Sequence, residues 1–473
     1  MDKLANAVVV PSDVVVPRDV VVPSDGAVRS DVAAVSDVAA VSDVAVPDGP
    51  VVRGQRDVLS SDSGPGPRRK GRSTAVRSAV PEQRPYGQQR MRYAPTEVIS
   101  ADELESIHEA SLRILEDIGM DFLCPESRSI LAAAGADVRP GIDRVRFDRN
   151  LILSSIATAP EEFTLHATNP AHNLQIGKDW VSFGSVASAP NVADLDRGRR
   201  VGNHEDYKNL LRLSQSLTCV HFLSGYPVEP IDIHASIRHL DATFDALTLV
   251  DKPIHAYSLG AQRNRDCLEL VRIARGIDDA TLELEPSIFT IINSSSPLRL
   301  DVPMLQGIIE FSRRNQVVCL TPFTLAGAMA PVTLAGALGL QNAEALAGLA
   351  FAQIVRPGSP VIYGGFTSNV DMQSGAPAFG TPEFMRTAMA GGQLARKYKI
   401  PYRSSNVSAA NSLDAQSAYE SVFSIWGGAH GWGELHDARR WLDGRRPSCR
   451  LREDDPRRRP SSYGLGLSRS DCG

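Results

Sequence analysis

A strand–helix–strand pattern between residues 317 and 371 constrains the fold of this chain more than any other feature. Residues 317–320 and 361–363 are apolar runs of strand length, and small and apolar residues fill 331–355 between them. A helix of that length can cover one face of a sheet and return the chain to a parallel strand. The pattern therefore predicts a βαβ unit.

The same alternation recurs before and after this unit. Apolar runs that predict strands are each followed by a predicted helix, and they cover residues 180–183, 219–223, 254–258, 287–292, 317–320, 361–363 and 400–403. Strict alternation of strands and helices is typical of a parallel barrel. We therefore predict an α/β fold, a (β/α)8 TIM-type barrel over residues 179–427.

The chain beyond the last of these helices does not continue the pattern. A barrel must close, because an open gap leaves two strand edges unpaired. Residues 428–473 show no apolar run of strand length and carry arginine-rich runs such as 457–459. We expect a barrel that is incomplete at strand eight and an aberrant, disordered tail over 428–473. Two explanations stay open: closure by other means, or an altered reading frame or truncation after about Gly427.

The first 92 residues predict a low-complexity, disordered leader. A six-residue period of valine, proline, serine and aspartate decays along the first part, and Gly, Pro and Ser with basic clusters follow it. A hexapeptide β-solenoid and a nucleic-acid arm are the alternatives for these two parts. Ser100 and Glu103 then form a capping box that begins an amphipathic helix. Residues 93–178 therefore predict an N-terminal helical cap on the barrel.

Composition limits the partners and the compartment. A formal net charge of −5 gives no case for nucleic acid or an acidic membrane surface. No apolar run approaches the ~20 residues that span a bilayer. Cys219 and Cys319 lie in apolar strands, and none of the cysteines forms a C-x-x-C pair, which favours reduced thiols. We therefore expect a cytoplasmic protein with no nucleic acid and no membrane among its partners.

The carboxyl ends of the predicted strands carry aromatic, hydroxyl and amide groups, at the end where barrels place their chemistry. Metal-binding, P-loop, nucleophile-elbow, dinucleotide and paired-carboxylate motifs do not occur there, so we assign neither a metal nor a catalytic residue. The candidate substrate-binding residues are Tyr226, His255, Tyr257, Phe323, Tyr363, Phe366 and Arg403.

Several rings at neighbouring strand ends favour a cation–π pocket for an alkylated amine, although each ring alone is more typical of barrel filling. A hydrogen-bonded pocket role and a direct substrate role stay open for His255. Arg403 could pair with a substrate carboxylate or form an internal ion pair.

Several strings of residues in the barrel region occur in a characteristic order. They are Ala-Pro-Val-Thr-Leu-Ala-Gly-Ala at 330–337, Gln-Asn-Ala-Glu at 341–344, Pro-Val-Ile-Tyr-Gly at 360–364, Asp-Met at 371–372, Ser-Gly-Ala-Pro at 374–377, Gly-Thr-Pro-Glu at 380–383 and Tyr-Arg-Ser-Ser at 402–405. In these strings the chain resembles the trimethylamine methyltransferase family of corrinoid-dependent methyltransferases. The resemblance extends from about Arg92 to Gly427.

The resemblance implies a (β/α) barrel that moves a methyl group from a methylated amine to the Co(I) corrinoid of a separate carrier protein. The expected partners are that corrinoid carrier protein and a small methylated amine, with no cofactor bound directly. Archaeal members of the family place pyrrolysine in the barrel, and this sequence has none. It looks like the members without pyrrolysine, which act on quaternary amines such as glycine betaine. Homo-oligomer formation stays open.

The implied reaction agrees with the residues at the strand ends. A quaternary ammonium leaves as a neutral amine, so attack by Co(I) needs no general acid. Because the positive charge on nitrogen falls in the transition state, the pocket should position the substrate rather than bind it as tightly as it can. We hypothesise that Tyr226, Tyr257, Phe323, Tyr363 and Phe366 form the cage, while His255 and Arg403 orient the polar end of the substrate.

Two alternatives remain. The chain could be a truncated or frame-shifted, inactive member of the family, since residues 428–473 do not resemble the glycine-rich strand and helices that normally complete the barrel. It could also be an unrelated TIM-barrel enzyme for a phosphorylated metabolite. That second alternative requires a phosphate-binding loop after strands seven and eight, and residues 404–406 match such a loop poorly.

Overall fold

The computed structural model describes residues 83–194, 197–410 and 414–431, together with the backbone of 435–438 and 448–450. All of these residues lie in one compact unit, Val76–Gly473. The predicted leader up to residue 82 and most of the predicted tail lie outside the described residues. None of the described helices combines the length and the apolar character that crossing a bilayer requires.

The part that precedes the barrel contains short strands and three helices. In chain order they are β1 (Gln89–Arg90), α1 (Ala101–Arg113), β2 (Met120–Phe122), α2 (Pro125–Ala133), β3 (Asp137–Val138), β4 (Arg144–Arg146), α3 (Arg149–Ile156), β5 (Glu162–Leu165) and β6 (Leu174–Gly177). One π-helical turn, Ile114–Ile118, extends α1, and a 3-10 turn, Pro170–His172, precedes β6.

The predicted capping box at the start of α1 is confirmed. The Ser100 hydroxyl accepts from the Glu103 backbone N–H, and the Glu103 carboxylate accepts from the Ser100 N–H at 2.8 Å. The two residues therefore satisfy each other's helix-end groups. The buried residues Ile107 and Leu112 then join the main hydrophobic core.

The remaining elements keep the predicted strand–helix order in outline, with extra short strands. They are β7 (Trp180–Gly184), β8 (Asn191–Asp194), β9 (Gly198–Val201), α4 (His204–Ser216), α5 (Arg238–Leu249), β10 (Ile254–His255), α6 (Ala261–Arg275), α7 (Asp279–Leu284), β11 (Ile288–Ile292), β12 (Arg299–Leu300), α8 (Val302–Arg313), β13 (Val317–Leu320), β14 (Leu325–Ala326), α9 (Leu334–Val355), β15 (Val361–Gly364), β16 (Ser368–Asn369), α10 (Pro382–Lys397), β17 (Tyr402–Asn406), α11 (Ala415–His430), β18 (Leu435–Ala438) and β19 (Ser448–Arg450). Helices α4 and α5 follow each other in direct succession.

Parallel pairing confirms the barrel type and corrects its predicted gap. Strands β10, β11, β13, β15 and β17 pair in sequence, and β17 then pairs with β18, which pairs with β7. The expectation that strand eight is missing is therefore wrong, and α11 also continues to His430 rather than ending at Trp426. A barrel-closing strand is held by backbone hydrogen bonds on both edges. For this reason it can form from a sequence without an apolar run.

The second strand is much shorter than predicted. Of residues 219–223, Phe222 alone forms a bridge to β7, at Gly184, and the Leu223 N–H donates to the Pro253 carbonyl at 2.9 Å. At the amino end, β1 pairs antiparallel with β7 and fills the space beside it. Gln89 and Arg90 therefore pair with the barrel wall, within the segment that was predicted to be leader up to residue 92.

Helix α9 is buried between the barrel and the N-terminal helices. Residues 337–353 of α9 are buried without interruption, and α1, α2, α3, α8 and α10 contact the helix. A helix that is apolar on every side is stable only when other elements surround it. This explains why small and apolar residues fill 331–355.

A hairpin closes the amino end of the barrel. Strands β5 and β6 pair antiparallel, and the hairpin contacts the starts of β10 and β11 through hydrogen bonds of His166 and Asn169 to the Pro286 and Asp251 carbonyls. Its buried side chains form one cluster with inward residues of the barrel strands: Leu165, Leu174, Ile176, Phe222, Phe289, Ile291, Val317, Cys319 and Ile362. The lower part of the barrel is therefore a packed apolar core, and the carboxyl end is left for chemistry.

Candidate active site

Strand alternation decides which predicted residues face the inside of the barrel. Phe289, Cys319 and Ile362 belong to the interior cluster, whereas Val318, Leu320 and Tyr363 belong to the core between strands and helices. Successive side chains of a strand point to opposite faces. Whether a predicted residue faces inward or outward can therefore be judged from its spacing, odd or even, from these neighbours on the same strand.

His255 lies on the inner wall. It is in register with Phe289, and its ring lies 5.3 Å from the Phe289 ring and 4.7 Å from the Tyr257 ring. Its Nε2 accepts the Ile291 backbone N–H at 3.1 Å. An acceptor nitrogen must carry no proton, so this bond selects the neutral ring with hydrogen on Nδ1. The structure thus supports the hydrogen-bonded pocket role.

Tyr226 and Tyr257 form one group with His255, which we call the tyrosine group. The Tyr257 hydroxyl accepts the Tyr226 backbone N–H at 3.1 Å and shares a hydrogen bond with the Ser188 hydroxyl at 2.8 Å. A Cβ atom at Gly225 would lie 2.4 Å from that hydroxyl, and the φ of Gly225 is +145°. Glycine is therefore required at Gly225 for Tyr257 to take this position.

The two tyrosines of this group differ in exposure. Tyr226 is buried against Tyr207, with ring centroids 5.6 Å apart, and burial raises the pKa of Tyr226 well above its ordinary value. Tyr257 is half-buried. Tyr257 is therefore the member of the group that a ligand can contact, and Tyr226 supports it from behind.

Phe323 and Phe366 form a second group with Phe379 and Phe384, which we call the phenylalanine group. The Phe323 and Phe366 ring centroids are 5.2 Å apart, and Phe366 contacts Phe379 edge-on at 5.0 Å. Phe366, Phe379 and Phe384 are buried, whereas Phe323 is half-buried. Phe379 and Phe384 were not among the predicted site residues, because neither follows a strand directly: Phe379 precedes α10 and Phe384 lies in its first turn.

Tyr363 lies outside the barrel wall and not in a cage with the other rings. Its hydroxyl donates to the Asn342 Oδ1 at 3.1 Å and accepts from the Gln341 Nε2 at 3.3 Å, and both partners are on α9. The inward positions of β15 are instead Ile362 and Gly364. The prediction considered that Tyr363 lies at a strand end but not which face of the strand its side chain is on. We therefore leave Tyr363 out of the pocket.

Strand β17 contributes charge and a hydroxyl to the inner wall. Tyr402 packs in the outer core, so Arg403 and Ser405 face inward, and Arg403 is in register with Gly364. Arg403 is 3% exposed. The hydroxyls of Ser405 and of Ser224 are buried without a hydrogen-bond partner among the described side chains. Ser224 was not among the predicted residues, although its alternation with Phe222 indicates an inward position.

Buried carboxylates belong to the helices rather than to the inner wall, as far as the side chains are described. Asp206, Glu310 and Glu344 lie on α4, α8 and α9. Glu344 accepts from the Ser296 hydroxyl and from the Leu298 N–H, both at 2.7 Å, and burial raises the pKa of Glu344 above its ordinary value. These contacts tie the loop after β11 to α9.

The comparisons with known proteins agree with this architecture. The family model of trimethylamine methyltransferase (MTTB) matches residues 66–444. The glycine betaine methyltransferase of Desulfitobacterium hafniense (strain Y51) is 36% identical over 329 residues, which are 69% of this chain and 68% of the relative. The proline betaine:corrinoid methyltransferase of Eubacterium limosum is 28% identical over 334 residues, 68% of this chain and 67% of the relative.

A solved structure is similar in fold. The hydroxylamine complex of MtmB superposes with a TM-score of 0.50 at 13% sequence identity, covering 74% of this chain and 71% of that chain. Together with the family match over residues 66–444 and the relative that is 36% identical, this confirms the resemblance found in the sequence. The chain belongs to the trimethylamine methyltransferase family.

Proposed function

We propose that this chain transfers a methyl group from a betaine, a quaternary methylated amine with a carboxylate, to the Co(I) corrinoid of a separate carrier protein. One observation carries the choice of a betaine. The guanidinium of Arg403 is on the inner wall, and half-buried rings, Tyr257 and Phe323, follow strands of the same barrel. A cation and aromatic faces together complement a ligand that carries a carboxylate and an alkylated ammonium.

The reaction asks little of acids and bases in the protein. The bond between nitrogen and the methyl carbon breaks, its electron pair stays on nitrogen, and a neutral tertiary amine results. No proton is transferred, which agrees with an inner wall whose described side chains include no buried carboxylate. The corrinoid acts as a second substrate, whose Co(I) supplies the electron pair of the new bond to the methyl carbon.

The residues of this chain then act by position. Arg403 binds the carboxylate, Tyr257 and Phe323 contact the ammonium, and the Ser224 and Ser405 hydroxyls offer further hydrogen bonds to the polar end. Holding the methyl carbon in line with the incoming acceptor is the contribution that accelerates a displacement. Rings that bound the cation too tightly would stabilise the ground state, because the charge on nitrogen is lost in the transition state.

The test uses the purified chain with glycine betaine and free cob(I)alamin, following the loss of the Co(I) absorption and the appearance of dimethylglycine. Tetramethylammonium and trimethylamine serve as donors without a carboxylate. We expect glycine betaine to have the highest kcat/KM. Arg403→Lys should lower that value ~10-fold or more, because lysine cannot reproduce the two-pronged contact, and should change tetramethylammonium turnover less.

Arg356→Lys is the matched control, because Arg356 binds Glu283 at 3.1 Å and the Arg313 carbonyl at 2.7 Å, among the helices of the amino end. No methyl transfer from any of the three donors would contradict the proposed function. Equal kcat/KM for glycine betaine and tetramethylammonium would contradict the role of Arg403.

A further inference from the structure

Three apolar side chains are exposed beside the barrel mouth. Met372 is 79% exposed, Val332 is 75% exposed and Met329 is 39% exposed. We call these three residues the mouth patch. Large exposed apolar groups that lie together, unlike scattered single ones, indicate a surface that contacts another molecule.

The surroundings of Gly327 show that two members of the mouth patch, Met372 and Val332, converge. A Cβ atom at Gly327 would lie 3.8 Å from the Met372 sulfur, from a Val332 methyl and from a Val370 methyl. Gly327 has a φ of +87°, a conformation that other residues adopt only with strain. Met372 and Val332 therefore lie together around Gly327, with Val370 beside them.

Both loops that carry the mouth patch are fixed by their own hydrogen bonds. The Leu325 carbonyl accepts from the Met329 N–H at 2.9 Å, and the Asp371 N–H donates to the Ala376 carbonyl at 2.8 Å. The two loops begin at β14 and β16, which pair with each other in parallel. Methionine side chains adapt to a partner surface, and a fixed backbone lowers the entropy cost of docking.

The mouth patch lies where a macromolecular co-substrate must approach. Strands β14 and β16 follow β13 and β15 within a few residues, at their carboxyl ends, and Phe323 and Phe366 lie in the same two connections. A second copy of this chain on the patch would obstruct the entrance, whereas a methyl acceptor held on a protein has to contact this rim. We infer that the mouth patch is the docking surface of the corrinoid carrier protein, an inference that rests on the proposed function.

The experiment compares two acceptors, free cob(I)alamin and a panel of purified corrinoid carrier proteins reduced to Co(I). The unsubstituted chain should methylate at least one carrier with a kcat/KM above that for free cob(I)alamin. Met372→Glu and Val332→Glu should each raise the KM for that carrier ~10-fold or more, because a charge enters an apolar contact. The rate with free cob(I)alamin should stay within about twofold of the unsubstituted chain, since a small acceptor does not need the rim.

Leu284→Glu provides the matched control. Leu284 is 80% exposed and ends α7, just before the amino end of β11, so it lies at the other end of the barrel. An unchanged KM for the carrier in both mouth-patch variants would overturn the inference, and so would a chain that prefers free cob(I)alamin to every carrier. Failure to methylate either acceptor would instead contradict the proposed function.

Discussion

The two aromatic groups at the barrel mouth are held in different ways. The tyrosine group depends on directional bonds, since the Tyr257 hydroxyl contacts the Tyr226 N–H and Ser188. The phenylalanine group depends on ring packing, with centroids between 5.0 and 6.3 Å apart. A directional bond fixes one position and leaves an unsatisfied group when it is lost. When a substitution removes atoms from packed rings, by contrast, the lost contact area grows with the number of atoms removed. The tyrosine side should therefore set orientation and the phenylalanine side affinity.

The largest effect is expected for Tyr257→Ala. This variant loses the ring and also the position of Tyr226, so kcat/KM for glycine betaine should fall about 100-fold, which corresponds to ~2.7 kcal/mol. Tyr257→Phe keeps the ring but removes the acceptor of the Tyr226 N–H, and should lower the unfolding free energy by ~1–2 kcal/mol. Methyl-transfer kinetics and urea unfolding measure the two effects. Equal kinetic losses in both variants would assign the effect to the hydroxyl instead.

A smaller effect is expected from the phenylalanine group. Phe323→Ala should raise KM for glycine betaine ~10-fold, because one half-buried ring contributes ~0.5–2 kcal/mol to binding a cation. Phe384→Leu is the comparison, since Phe384 is buried within the same group, and it should lower stability without changing KM. If Phe323→Ala lowered kcat and left KM unchanged, the phenylalanine group would also orient the substrate. The two groups would then not differ in role.

Tyr363→Phe should leave the kinetics unchanged. The lost hydroxyl contacts Gln341 and Asn342 on α9, so the expected result is a decrease of ~1 kcal/mol in the unfolding free energy. Kinetics with glycine betaine and urea unfolding on the same preparation test this. A KM increase comparable with that of Phe323→Ala would restore Tyr363 to the pocket.

The smallest expected effect is a loss of stability on the tyrosine side of the barrel when the pH is lowered. Burial lowers the pKa of His221 from its ordinary value of 6.5 to about 4, and its Nδ1 accepts the Phe183 N–H at 2.9 Å next to the short second strand. The unfolded ring takes up a proton at higher pH than the folded ring, so stability is lost as pH falls below about 6.5.

Between pH 7.5 and 6.0 the titration of His221 should lower the unfolding free energy by roughly 0.8 kcal/mol, and His221→Gln should reduce that loss. Amide hydrogen exchange should accelerate at Phe183 before it accelerates at Ile362, after correction for intrinsic rates. An equal response at both amides would show that acid does not distinguish the two sides of the barrel.

The regular strands and helices of this molecule could be predicted well from the sequence, whereas the strands that pair on either side of β7 could not. The capping box at Ser100 and the runs 317–320 and 361–363 carry strong local signals, so those bounds agree with the structure within a residue or two. Strand β18 and the pairing of β1 with β7 depend on backbone edges that only the closed barrel supplies. Apolar pattern cannot reveal such contacts.

The candidate site residues could be chosen from residue type and strand end, but their grouping could not be predicted. His255, Tyr257, Phe323 and Arg403, chosen in this way, lie on the inner wall or at the mouth. The side that a strand-end residue faces depends on the register of the whole sheet, which is why Tyr363 was misplaced. Serine is common at strand ends, so residue type did not single out Ser224 and Ser405. Their inward position could be inferred only from the alternation of side chains along the strand, relative to Phe222 and Arg403.

The hairpin of β5 and β6 has a consequence for the order of binding in the proposed reaction. Leu165, Leu174 and Ile176 pack into the core at the amino end of the barrel, so the proposed amine and its acceptor would both have to approach from the carboxyl end. The small donor would then bind before the carrier protein, because a docked protein would cover its path. The demethylated product would leave after the carrier protein dissociates. The proposed function therefore implies an ordered mechanism, and the packed amino end is its structural cause.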